Sequence, residues 1–274
     1  VPKKIPGREF ARNLIERRTL IYQLVKRDFQ QRYVGSAVGW LWGVIHPLVL
    51  LGIYTFIFNL CLGATPGEGE ATNSFALFAF SGMLPWLLFS ETVQRSSGSL
   101  VEQANLITKT MFPSEIVPVS IFLSSLLSHL MALGLFVAVV AAKEQRLSPA
   151  ILLLPAGMLL LGLFGVGIGW VAASLQVYLR DTAQVVTVAL TLWFWITPIM
   201  IGEAKFRKAP FPRAEAFVLN ANPLVYFVRV YREMLLGTSV PWRDLGLAAA
   251  FSVAAFVLGG LFFRHMKRGF ADVL

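Results

Sequence analysis

Long stretches without a single Asp, Glu, Lys or Arg dominate this chain. Residues 37–62, 116–142, 149–175, 183–201 and 245–263 are free of formal charge, and 75–90 extends the same character to about 97. A helix needs about 20 predominantly apolar residues to cross the hydrocarbon of a bilayer. The runs therefore predict an all-α membrane protein with six spans. Composition agrees: 56% of the 274 residues are hydrophobic and 14% charged, against about 45–50% and 25% in an ordinary soluble domain. The first run opens after 36 residues of basic, partly amphipathic sequence, which is not the pattern of a signal peptide.

A seventh apolar stretch, AFVLNANPLVYFVRV from residue 216, is short and interrupted by Asn220, Asn222 and Pro223. It predicts a re-entrant or interfacial segment, because broken backbone must be shielded by protein or line water.

The formal charge of +9 is unevenly placed. Nine Lys or Arg fall in residues 1–36, and Arg264, Lys267 and Arg268 follow the last run. Six spans return both ends to one side, and the excess of basic residues makes that side the cytoplasm. The segment 203–243 carries seven more cations, at Lys205, Arg207, Lys208, Arg213, Arg229, Arg232 and Arg243. Long external segments count for less in this rule, and the N-terminal block is larger.

Before the first span, Phe10, Leu14 and Ile21 recur at intervals close to helical, while Arg12, Arg17, Arg18, Lys26 and Arg27 occupy other faces. The pattern is that of an interface helix over residues 1–35. Within the spans, Gly165 and Gly169 and the stripe Ser120, Ser124 and Ser128 mark close helix packing. Glu91 and Arg95 share one helical face. A charge near the bilayer centre faces protein or water, so they either pair within the bundle or sit at the interface. His46 and His129 read as histidines satisfied within the bundle, and the single Cys61 as a packing residue that excludes an intrachain disulfide. The sequence has no HExxH, GxSxG or GxxxxGK[ST] motif. Any ATP is expected to be bound by another polypeptide.

Several stretches in order along the chain carry a family resemblance: RDFQQRYVGSAVGWLWGVIHPLVLLGIYTFIFN from 27, SGMLPWLLFSETV at 81–93, NLITKTMFPSEIVPV at 105–119, YLRDTAQVV at 178–186, ITPIM from 196, and NANPLVYFVRVYREMLLG ending at 237. Together they resemble the membrane subunit of type-2 ATP-binding-cassette exporters, specifically the permeases that move O-antigen or teichoic-acid polymers. His46 stands where that family more often has Asn, and Ala37-Val38 replaces a more usual apolar pair.

The resemblance implies a six-span domain over residues 36–274, with re-entrant helices in the outer segment 203–243. It implies a homodimer in the bacterial cytoplasmic (inner) membrane, with both termini in the cytoplasm. Two copies of a separate P-loop nucleotide-binding subunit would use ATP and Mg; this chain itself is expected to bind no metal or cofactor, to have no catalytic residues and to contact no nucleic acid. The loop 102–115 is expected to couple to that subunit through Asn105, Leu106, Lys109, Met111 and Phe112. Tyr178, Arg180 and Asp181 would add contacts.

The expected cargo is a lipid-linked (undecaprenyl-diphosphate) polysaccharide such as O-antigen. Lys26, Arg27 and Arg32 stand at the inner boundary, where cations and forked guanidinium donors suit a diphosphate. Sugars stack on aromatic faces, so Tyr33, Trp40, Trp42, Tyr54, Trp86, Phe89 and Trp195, with Glu91, Thr187 and Thr191, are candidates for lining the channel. Trp40 and Tyr54, 14 residues apart, share a face in a regular helix. An interfacial aromatic belt would use the same tryptophans equally well. Teichoic acid, capsule or a small molecule are alternative cargoes within the class. An ion-coupled transporter would need a connected set of acidic or histidine sites, and a membrane glycan transferase would need carboxylates facing its substrate; the spans offer little of either.

Overall fold

The computed structural model describes residues 17–67, 70–109, 112–145, 147–204 and 217–274. The expected amphipathic positions Phe10, Arg12 and Leu14 and the loop cations Lys205, Arg207, Lys208 and Arg213 lie outside them, as does the coupling candidate Met111.

The described chain is helical. The interface helix α1 (Arg18–Tyr33) is followed by a 3-10 turn (Gly39–Leu41) and then α2 (Trp42–Tyr54), which continues as a π-helical stretch (Thr55–Cys61). The second run forms α3 (Phe75–Glu102), and the short α4 (Ala104–Lys109) connects it to α5 (Ile116–Glu144). A 3-10 turn (Pro149–Leu153) opens α6 (Leu154–Tyr178), and α7 (Thr182–Ile196) follows. A π-helical turn (Phe217–Ala221) leads to α8 (Pro223–Leu236); α9 (Trp242–Met266), a 3-10 turn (Lys267–Gly269) and α10 (Phe270–Val273) complete the fold. Among the described residues five continuous helical stretches, Gly39–Cys61, Phe75–Glu102, Ile116–Glu144, Pro149–Tyr178 and Trp242–Gly269, are long and apolar enough to cross a membrane, and Thr182–Ile196 is a shorter apolar helix.

The core is built on α3, which is buried along most of its length between α5, α6, α7 and α8. By contrast α2, α7 and α9 leave long apolar faces open, among them Val49, Ile53, Val188, Leu192, Val257 and Leu258. A polytopic protein leaves such faces for lipid or for another subunit.

Two departures from the sequence reading have clear causes. The fifth run, expected over 183–201, stops being helical at Ile196 because Pro198 forces Thr197 into extended backbone (ψ 134°). The freed carbonyls of Pro198 and Ile199 accept hydrogen bonds from the buried Arg232 of α8, at 2.9 and 2.6 Å. Of the two glycines expected at close packing, Gly169 does admit a near neighbour, since a Cβ there would meet Ser96 of α3 at 2.9–3.0 Å, but the backbone-to-backbone crossing is made by Gly167, against Ala255 and Gly259 of α9. A Cβ on Gly259 would run into the Gly167 carbonyl, and one on Gly167 into that of Ala255, whereas Gly165 sits at ordinary contact distance from Thr92 and Phe89. Beside this crossing the Ser252 hydroxyl donates to the Leu160 carbonyl at 2.8 Å.

The interrupted seventh stretch becomes α8. Pro223 occupies the first turn, where its missing N–H is harmless, and the Asn222 side chain caps the helix by accepting from Leu224 N–H at 3.1 Å. Its 14 residues rise only about 21 Å, short of a bilayer core of about 30 Å. Protein covers it on nearly every side: Val225, Phe227, Val230, Tyr231 and Met234 have no exposed surface.

Because backbone cannot retract from a new methyl group, Gly259→Ala is expected to destabilise the α6–α9 pair by about 1–3 kcal/mol. Gly246→Ala, in open space, is expected to be neutral. Thermal unfolding of the two detergent-purified variants, followed by monodispersity, distinguishes them; equal midpoints would refute the crossing.

Candidate functional site

The polar centre of the molecule joins α1 to α3 and α5. Arg32 of α1 reaches Glu91 of α3 at 2.6 Å, and Arg95 of α3 reaches Asp28 of α1 at 2.5 Å. Two longer pairs, Arg32–Asp28 at 3.8 Å and Arg95–Glu91 at 3.7 Å, close a ring of alternating charge. Spacing of i, i+4 on each helix places both members on one face. Serines of α5 form the floor: Ser128, the last of the stripe, accepts from Arg32 at 3.1 Å, and Ser125, beside the stripe, accepts from Arg95 at 3.4 Å. The Tyr33 hydroxyl meets Ser128 at 3.3 Å. The end of the stripe expected to mark close helix packing thus also seats α1, through polar contacts of Ser128. Burial pushes the Asp28 carboxyl up, but hydrogen bonds from Arg95 and Ser124 and the charges of Arg95 and Arg32 outweigh it, holding the group below its ordinary value.

On one side of this ring opens a cavity of about 670 Å³, walled by α2, α3 and α7. Its polar end holds Arg32, Tyr33, Glu91, Gln94 and Ser128; the rest is largely aromatic and aliphatic. Tyr54 stacks on Phe194 at 5.9 Å, and Trp86 and Trp195 lie 5.4 and 5.1 Å from the same ring. Of the lining candidates, Tyr33, Trp42, Tyr54, Trp86, Glu91, Thr187, Thr191 and Trp195 border this cavity, and His46 joins them.

Two candidates do not. Phe89 is buried in the core, against Phe164 and Trp193 at 5.4 Å each. Trp40 sits on the 3-10 turn before α2, more than half exposed and away from the cavity. The equal-turn argument linking it to Tyr54 fails because a 3-10 turn advances the chain faster than an α-helix. Phe194 and Met83, Leu87 and Ser90 were missed; they continue the helical stripes Thr187–Thr191–Phe194 and Met83–Leu87–Ser90–Gln94, so periodicity alone could have found them.

The three basic candidates separate in space. Arg32 is committed to Glu91, Asp28 and Ser128, so its charge is already balanced. Lys26 and Arg27 are exposed, and Arg27 borders a second, polar cavity beside α4.

At the same end of the bundle, Asn105 and Leu106 lie on α4, which Lys109 ends. Phe112 packs against the core. Tyr178 donates to the Met266 carbonyl at 2.8 Å and packs on Phe270, whose helix α10 lies against α4. Arg180 and Asp181 are exposed on the α6–α7 turn. Lys267 pairs with the buried Glu115 at 2.5 Å, and the Glu115 carbonyl accepts from Trp170 at 3.0 Å, tying α9, α5 and α6 together.

At the opposite end, residues read only as topology charges become structural. Arg229 forks onto Glu203 at 2.6 and 2.7 Å and reaches Asp244 at 3.3 Å. Arg232 lies over the Phe78 ring at 3.8 Å. Asn222 accepts from Trp193 at 2.8 Å and donates to Thr197 at 3.0 Å, joining the end of α7 to the start of α8. His129 meets the Tyr231 hydroxyl at 3.3 Å.

Residues 19–236 match the ABC-2 type transporter family. The chain is 27% identical over 263 residues to the O-antigen export system permease protein RfbA of Myxococcus xanthus, covering 96% of this chain and 98% of that protein. It is 25% identical over 259 residues to a protein of the same name from Klebsiella pneumoniae, with 93% and 95% covered. It is also 24% identical over 247 residues to the polysialic acid transport protein KpsM of Escherichia coli, with 88% and 91% covered.

Arg32→Glu is expected to release α1 from its seat, at a cost of about 1–3 kcal/mol for lost charge-assisted bonds. Restoring opposite charge with Glu91→Arg should recover part of it. Limited trypsin cleavage after Arg27 reads the release, and an unchanged rate in the single variant would refute the seat. Because the Asp28 value is lowered on folding, its contribution is fully present above the unfolded value of about 3.9 and is lost only as pH falls through the lowered one. Cleavage after Arg27, normalised at each pH to that of an unstructured peptide substrate to remove trypsin's own pH dependence, should therefore be constant from pH 8 to 5.

Proposed function

The chain belongs to the ABC-2 type transporter family, and from that premise we propose that it is the membrane subunit of an ATP-driven exporter of a lipid-linked polysaccharide. The observation that carries this reading is the cavity between α2, α3 and α7, with a charged ring at one end and stacked aromatic rings along its wall. The sugar chain of a polyprenyl-diphosphate glycan suits such a wall, because its C–H faces stack on rings without committing to one monosaccharide, while the charged ring, its two cations balanced by two carboxylates, leaves the anionic head to the exposed Lys26 and Arg27. The names of the relatives, O-antigen export permeases and a polysialic acid transport protein, support a polysaccharide cargo.

In this mechanism two copies of the chain enclose the path. The open apolar faces of α2 and α7 border the cavity, so a second copy placed against them would complete its missing wall. Two separate P-loop subunits bind ATP and Mg and close on each other. Their movement reaches the membrane through α4 and the α6–α7 turn, the segments carrying Asn105, Leu106, Tyr178, Arg180 and Asp181. Lys26 and Arg27, the cations free at the boundary, meet the diphosphate first. The protein would sit in the bacterial cytoplasmic membrane with both termini inside.

Cells lacking this chain are expected to accumulate the lipid-linked glycan on the inner face of that membrane. The tagged chain should copurify with a P-loop ATPase whose glycan-stimulated turnover falls about 2- to 10-fold in Trp86→Ala or Trp195→Ala, the loss of one stacking contact. Absence of any such ATPase, with activity indifferent to ATP, would sink the proposal.

A further inference from the structure

Beside the aromatic cavity lies a second one, of about 540 Å³, bounded by α1, the C-terminal end of α3, α4 and the start of α7. Its chemistry is the opposite of its neighbour's. Four carboxamides, Gln31, Gln94, Gln103 and Asn105, line it together with Ser97 and Ser99. Both serine hydroxyls donate to carbonyls of their own helix, at 2.6 and 2.7 Å, which leaves their oxygens able to accept. The Gln103 Oε1 atom is buried and has no hydrogen-bond partner among the described residues. Gln94 accepts from Thr187 at 3.1 Å and is the one lining residue common to both cavities.

The lining selects among ligand classes. An acyl chain would meet polar side chains on most of the wall. An isolated phosphate would need converging cations, but Arg95 is tied to Asp28, Arg27 alone is exposed, and Glu102 opposes an anion across the same space. A carboxamide presents a donor and an acceptor side by side, and so does a pair of adjacent sugar hydroxyls. The volume falls in the range of small-molecule sites, about 300–1,000 Å³.

We propose that this cavity is a subsite for uncharged, hydroxyl-rich sugar residues, distinct from the aromatic path. The inference rests on the polysaccharide reading above and deepens it. The ion ring stands between the two spaces: Arg32 and Glu91 border the aromatic cavity, Asp28 and Arg95 the polar one. A sugar held here touches Asn105 and Leu106 of α4, so its presence is felt by the segment that faces the ATPase.

The test uses the full complex with its ATPase in lipid nanodiscs. The exposed Cys61 is removed as Cys61→Ser, and Glu102→Cys reports on the polar cavity through its rate of maleimide labelling. The probes are oligosaccharide freed from lipid and phosphate by mild acid, and undecaprenyl diphosphate without sugar. The oligosaccharide is expected to slow labelling at least fivefold and the undecaprenyl diphosphate less than twofold. Gln103→Leu should abolish that protection, with Gln31→Leu as a second variant on a different helix, while Trp195→Ala retains it. No protection by the oligosaccharide, or equal protection by the sugar-free lipid, would overturn the subsite. Surface glycan in cells carrying the Cys61→Ser chain is scored in parallel: its presence with no protection refutes the subsite alone, and its absence refutes the exporter reading.

Discussion

The charged ring of Asp28, Arg32, Glu91 and Arg95 is the interaction on which the working parts of this protein depend. It brings α1, a helix with only Leu24 fully buried, against two membrane helices that it could not hold by apolar contact alone. Each charge is only about a fifth to a third exposed, and in such a place an unpaired carboxylate or guanidinium is costly. Pairing in a closed ring, with Ser125 and Ser128 beneath, meets that cost with the charges balanced. The arrangement also sets the boundary between an aromatic cavity and a polar one, so one network serves as both fastening and partition.

A second constraint governs the opposite end. A helix that stops inside or near the bilayer leaves carbonyls that lipid cannot satisfy. Pro198 creates this problem at the end of α7, and Arg232 meets it by donating to two of the freed carbonyls while lying on Phe78. Asn222 does the corresponding work for the start of α8, and bonds Trp193 and Thr197 as well. The short helix α8 and the cavity-lining helix α7 are therefore one mechanical unit. Displacement of α7 by cargo would carry α8 with it.

Much of this was legible in the sequence. The uncharged runs marked the helices to within a few residues, because the need for apolar length is local and one-dimensional. The i, i+4 spacing of Glu91 and Arg95 put them on one face, and the stripe Thr187–Thr191 marked the side of α7 that borders the cavity. Where the reading failed, the missing quantity was three-dimensional. Phe89 and Trp86 are three residues apart, equally aromatic and both largely buried, yet Phe89 is enclosed between Phe164 of α6 and Trp193 of α7 while Trp86, packed on Phe194 of α7, keeps an edge on the cavity. Gly165 and Gly169 fit the familiar spacing, but the crossing with α9 falls on Gly167 between them.

The amino-acid sequence by itself determined that this chain is a bundle of membrane helices preceded by a basic segment, and its ordered motifs carried the resemblance to polysaccharide permeases. Those properties follow from hydropathy, charge and local spacing. Only the tertiary structure decided that Arg32 pairs with Glu91 while Arg27 is exposed, and that Arg232 serves the non-helical backbone just beyond the end of α7. Glu91 lies 59 residues from Arg32, and the carbonyls that Arg232 binds lie 34 and 33 residues before it, distances set by how the helices pack and not by the order of their residues.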